Sequence, residues 1–247
     1  SDSYASGVVL NARGWLGIMS GGTADATWIS SGGVQTVSSG GISSDTTIGR
    51  GGIEEVLSGG RAIATRILSA GNQIINGGAE VIGAQVQFGG TQTLQSTTLY
   101  GVQSVASGGL AVSTTIYDGA LQTVASGGTA AYAVVSSGGT ENVLSGGRAV
   151  ATQIDAGGNQ IINGGAQVSA TTVLSGGMQT LQSGATVSAT TVSAGAIQRI
   201  SATAKALDTN LFGSQYVESG GFAANAVVQS GGLQAVDAGG TASATQI

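Results

Sequence analysis

The chain has 247 residues, 45 of them glycine, with no proline, cysteine or histidine and only 8% charged side chains. That composition excludes a disulfide framework, a thiol or histidine catalyst and the usual zinc sites. A net charge of −5 with scattered Lys and Arg leaves no basic face for a phosphate backbone, so nucleic acid is not a partner. Disorder is excluded as well, because 41% of the residues are apolar and the β-branched ones recur at regular intervals.

Residues 1–19 stand outside the repeat that follows. They carry Tyr4, Trp15 and Met19 and are expected to form an N-terminal capping segment over the end of a stack. Ser1–Leu10 shows no charged leader before an apolar core, and no run approaches the about 20 apolar residues of a spanning helix.

From Ser20 to Ile247 one unit recurs. Counting S-G-G as positions 1 to 3, units begin at Ser20, Ser39, Ser58, Asn76, Ser96, Ser107, Ser126, Ser145, Asn163, Ser183, Ala202, Ser219 and Ala238. They are seventeen to twenty residues long, except for eleven residues from Ser96. Residues 20–95 realign with 107–182 at an offset of 87, a duplicated block of four units. The final unit stops part-way, so the chain is expected to be a fragment of a longer array.

Three columns carry the apolar signal. Position 10 reads Ile29, Ile48, Ile67, Val86 and Leu99, and position 18 reads Val37, Val56, Ile75, Leu94 and Val105, each continuing to the end; position 15 is more variable. Apolar runs of four to six residues, β-branched and broken by Gly-Gly twice per unit, describe short strands between tight turns rather than helices. One such unit cannot bury its own apolar side, so units must stack. The expected fold is all-β: a parallel β-helix of about twelve rungs of ~19 residues, ~4.8 Å apart, over residues 20–247. Alanine-rich positions 5 and 7 are expected to leave a narrow interior.

Position 16 reads Gln35, Glu54, Gln73, Gln92, Gln103, Gln122, Glu141, Gln160, Gln179, Gln198, Gln215 and Gln234. It is either a self-satisfying amide ladder lining the rod or a binding stripe, and the two Glu, 87 apart, are one duplicated feature.

Little here suits catalysis. Glycoside hydrolysis needs two carboxylates about 5 to 10 Å apart. Asp25 and Asp45, placed in one column a rung apart, come nearest, and solvated turn-edge acids account for them better. No enzyme, metal or cofactor is expected. The Asp-rich nine-residue repeat of calcium solenoids is absent, and position 9 is too mixed for an ice-binding threonine ladder. The irregular units 96–106 and 202–218, with Tyr100, Lys205, Asp208, Phe212 and Tyr216, are where a local site would be sought.

The unit S-G-G-x-A-x-x-T-x-[IV]-x-x-G-G-x-Q-x-V, as in Ser20–Val37, resembles the passenger region of AIDA-type self-associating autotransporter adhesins, over nearly the whole chain. The resemblance implies a right-handed β-helix on the outer cell surface, carried there by a C-terminal membrane barrel. It also implies self-association between cells, biofilm formation and adherence to the host-cell surface. A heptosyltransferase as modifying enzyme would add heptose to turn serines. Position by position, those are Ser20, Ser39, Ser58, Ser107, Ser126, Ser145, Ser183 and Ser219, with Ser31, Ser137, Ser175 and Ser230 before the second Gly pair. The transfer fails at Asn76, Asn163, Ala202 and Ala238. The alternative is a polysaccharide-binding or polysaccharide-degrading β-helix of phage-fibre type.

Overall fold

A computed structural model describes residues 3–76, 78–87, 89–94, 98–99 and 101–247, and only the backbone at 94, 98 and 99. Among these residues there are strands and turns and no helix, and hence no helix long and apolar enough to cross a membrane. The chain is a parallel β-solenoid of about twelve turns of ~19 residues. It divides into an N-terminal unit (residues 1–115 with 127–130) and a C-terminal unit (116–126 with 131–247).

Each turn contributes a three-residue strand (positions 4–6), a two-residue strand (9–10) and a four-residue strand (15–18), one to each of three parallel sheets. In the N-terminal unit Ile29 lies in register with Ile48, and Ile48 with Ile67. All three are 0% exposed, and full burial of each stabilises the coil by about 1.5–3 kcal/mol. In the C-terminal unit Glu141↔Gln160↔Gln179↔Gln198↔Gln215↔Gln234 and Val143↔Ile162↔Leu181↔Ile200↔Val217↔Val236 run in the same way down one sheet. Residues 3–18 form a turn of their own: Ser3–Ser6 pairs with Gly22–Asp25, Val9–Leu10 with Trp28–Ile29 and Trp15–Ile18 with Val34–Val37.

Position 7 does not line the interior as expected. Ala26, Asp45, Ala64, Ala151, Ala170 and Ala189 all have φ between 49° and 58° there, at the bend between the first two strands. Position 5 does point inward, and so does the threonine of position 8 (Thr27, Thr46, Thr65, Thr152, Thr171, Thr190), which is fully buried. Glycine at position 14 is demanded by close approach: a Cβ on Gly52 would sit 2.4 Å from the Ile29 carbonyl oxygen.

Among the described residues the short unit after Ser96 shows a two-residue and a four-residue strand but no three-residue one, and this overturns the simple continuation of the columns. Thr98–Leu99 pairs with Glu80–Ile82, so Leu99 lies beside Val81 instead of Val86. Val105 lies beside Val86 instead of Leu94, and Ala111 beside Gln92. Every strand type has stepped to the next sheet. The seventeen-residue unit from Ala202 keeps all three strands, in register with both neighbours, and loses its residues from the turn at Phe212–Gly213.

Candidate functional site

The turns that follow the four-residue strands repeat as ladders. At Gly21, Gly40, Gly59, Gly127 and Gly146 the backbone takes φ between 73° and 75°, which glycine adopts at no steric cost. Gly21 N–H donates to Gly40 C=O, and Gly40 N–H to Gly59 C=O, at 3.0 and 2.9 Å. The serine before each glycine therefore projects outward over the next turn. A Cβ on Gly40 would meet Ser20 Oγ at 2.7 Å, one on Gly59 would meet Ser39 Oγ at 2.6 Å, and one on Gly146 would meet Ser126 Oγ at 2.6 Å. The second turn ladder behaves likewise, with Ser137 over Gly157 and Ser175 over Gly195.

All the candidate serines, Ser20, Ser31, Ser39, Ser58, Ser107, Ser126, Ser137, Ser145, Ser175, Ser183, Ser219 and Ser230, are exposed. Among the described residues Ser183 is the one whose hydroxyl is engaged: it lies 2.8 Å from Thr203 Oγ1, because Thr203, at φ 62°, stands where other turns have glycine. Ser31 is itself held at φ 50°.

The position 16 column is internal. Gln35, Glu54, Gln73, Gln103, Gln160, Gln179, Gln198 and Gln215 are 0% exposed, so the column is a buried amide ladder and no binding stripe. Its donors point one way. Gln234, Gln215, Gln198, Gln179 and Gln160 each donate Nε2–H to the preceding member at 2.6–2.8 Å, ending on Glu141 Oε2. In the N-terminal unit Gln103 donates to Gln92, Gln92 to Gln73 and Gln73 to Glu54 Oε2, while Gln35 donates to Glu54 Oε1 from the other side at 2.9 Å. Two amide donors arriving from opposite sides each need an acceptor atom facing them, and the two oxygens of the Glu54 carboxylate supply one to each. Burial pushes the carboxyls of Glu54 and Glu141 above their usual range, against the opposing pull of these hydrogen bonds. The ladder crosses the missing strand without a gap, since Gln103 reaches Gln92 diagonally.

Asp25 and Asp45 are not in one column. Asp25 registers with Ser44, whose hydroxyl donates to it, while Asp45 occupies the left-handed bend. The residues singled out in the unit from Ala202 are also dispersed. Lys205 faces outward beside Thr186, Asp208 accepts from Asn225, and Tyr216 lies under the Arg199 guanidinium at 5.2 Å. Ser96 and Tyr100 lie outside the described residues. Among the described residues no cluster of three or more acids could hold a metal.

Comparison with known proteins agrees with this architecture. The family described as "Adhesin of bacterial autotransporter system, probable stalk" matches residues 1–52, 19–71 and 125–177. A crystal structure of the TibC-catalysed, hyper-glycosylated fragment of TibA is similar, with a TM-score of 0.69 and 32% identity, over 99% of this chain and 93% of that one. Comparison with curated protein sequences gives no match. Repeat, coil and relatives together place the chain in the AIDA family of bacterial autotransporter adhesins, as part of its stalk.

Proposed function

We propose that the chain is a surface-displayed, non-enzymatic adhesin passenger, carried on the outer membrane, that brings cells together into aggregates and biofilms and attaches them to host cells. The observation that supports this best is the pair of exposed turn ladders, in which serine hydroxyls recur at most turns of the first ladder and at several of the second, and for Ser20, Ser39, Ser126, Ser137 and Ser175 the next turn offers only a glycine hydrogen beneath them. Hydroxyls so placed are open to an O-heptosyltransferase, and the glycosylated TibA fragment supports that assignment by its likeness. Rungs ~4.8 Å apart also repeat any weak contact many times, so attraction between two coils grows with their overlap.

Intact mass of the protein made with and without a heptosyltransferase tests the modification. Increments of one heptose, mapping to Ser20, Ser39 and Ser58 and missing at Asn76, are expected; unchanged mass would reject it. Acidic substitutions along one outward column at a time should abolish clumping of displaying cells for at least one side.

A further inference from the structure

The duplication offers an internal comparison. Arg61 and its copy Arg148 begin equivalent three-residue strands, and the residue in register with each is Glu80 and Gln167 respectively. In the N-terminal unit the Arg61 guanidinium pairs with Glu80 at 2.5 Å, and Ile63 and Ile82 make the neighbouring column aliphatic. In the C-terminal unit the acid is gone and the aliphatic column is interrupted by two serines between Val150 and Leu207. Gln167 replaces the acid, Ser169 replaces Ile82, and Thr186, Ser188 and Lys205 continue the two columns. Arg148 and Lys205 are exposed and, among the described residues, make no ion pair.

Arg148, Gln167, Ser169, Thr186, Ser188 and Leu207 line an open groove of about 540 Å³ with no acid in its wall, and Lys205, in register with Thr186, stands next to it, outside the lining. Along it Gln167, Ser169, Thr186 and Ser188 carry polar groups without protein partners. Arg148 and Lys205 stand three turns apart, ~14 Å along the axis.

We infer that this groove binds a short stretch of an anionic linear oligosaccharide, with Arg148 in the wall and Lys205 just beyond it on two acid groups and the Gln, Ser and Thr side chains on hydroxyls between them. The alternatives fit worse. Two cations on a chain of net charge −5 are too few for a nucleic-acid backbone. A peptide would bring amides that need main-chain partners, and the strands under the groove are already paired on both edges. A sugar chain brings hydroxyls to side chains that lack partners, and acid groups to cations that lack counter-ions. The acids could be carboxylates or sulfate esters.

Binding to the full-length, unmodified chain tests the site without involving the turn serines. Three probes are titrated calorimetrically: a galacturonate hexamer, a heparin hexasaccharide and neutral maltohexaose. At least one acidic probe should bind, with affinity falling as salt rises, and maltohexaose should not. Preference between the two acids identifies the anionic group. Arg148→Gln should weaken binding tenfold or more. So should Gln167→Glu, which rebuilds the pair that Arg61 and Glu80 make in the same fold, so that loss of structure does not explain the result. Arg61→Gln should leave affinity unchanged. Equal binding of the neutral hexamer, no binding of either acidic probe at millimolar concentration, or full affinity in Gln167→Glu would overturn the proposal.

Discussion

Gln160 donates its side-chain amide to Glu141 Oε2 at 2.6 Å inside a core where neither residue is exposed, and Thr152 donates to the same oxygen at 3.0 Å. The other carboxyl oxygen, Oε1, has no partner. Removing this group from water therefore costs more than the two bonds return, and its proton is held more tightly in the folded coil than in the unfolded chain.

The pH dependence follows. In the unfolded chain the carboxyl ionises around the ordinary value of 4.5; in the folded chain it ionises higher. Between those two values the folded state binds more protons, so stability is greatest below the unfolded value and falls as pH rises through the folded one. Each buried Glu contributes a slope of at most about 1.4 kcal/mol per pH unit. Urea unfolding of Glu141→Gln should show a higher midpoint at pH 7 and a flatter profile above the ordinary carboxyl value of 4.5. Glu54 is better supplied with donors, so Glu54→Gln should gain less, and its amide must turn the Gln35 amide round to avoid opposing donors.

Cavity formation in an aliphatic ladder should be costly. Ile48 lies between Ile29 and Ile67, and all are buried completely. Ile48→Ala removes side chain that neighbouring turns cannot collapse onto, and a loss of about 2–5 kcal/mol in chemical unfolding is expected.

Thr203 is a β-branched residue at φ 62°, in a position that glycine fills elsewhere. Thr203→Gly should stabilise the coil by about 1 kcal/mol, measured as a raised denaturation midpoint. It also releases the Ser183 hydroxyl from its contact, so heptose occupancy at Ser183 should rise when the variant is made with the transferase.

Gly40→Ala tests the turn ladder from the other direction. The new methyl would sit 2.7 Å from Ser20 Oγ in a left-handed conformation that alanine disfavours. Destabilisation of about 1–2 kcal/mol is expected, with modification lost at Ser20 in peptide mapping while Ser126 is unaffected.

The regular part of this architecture was readable from the residues because one physical constraint generated it. An aliphatic side chain such as Ile29 must meet another at the same place in the next turn, so spacing alone places Ile48 and Ile67. The outward serines were legible for the same reason. The step after Ser96 was not, since a shortened unit does not announce which of its three strands is missing; only pairing shows Val105 beside Val86. Alanine at position 7 misled because small size suits a tight interior and a tight bend alike, and φ separates them. The groove at Arg148 was hidden because it depends on which neighbour a cation has across the turn, and Gln167 looks like an innocuous change of Glu80 until the two are found in register.

Thr47 pairs with Trp28 on one side and Arg66 on the other, nineteen residues away in each direction. A strand in this protein never waits for a distant part of the chain. Each coil can settle as soon as the one before it is in place, so the molecule can be laid down progressively from one end to the other, without a collapse of the whole chain at once.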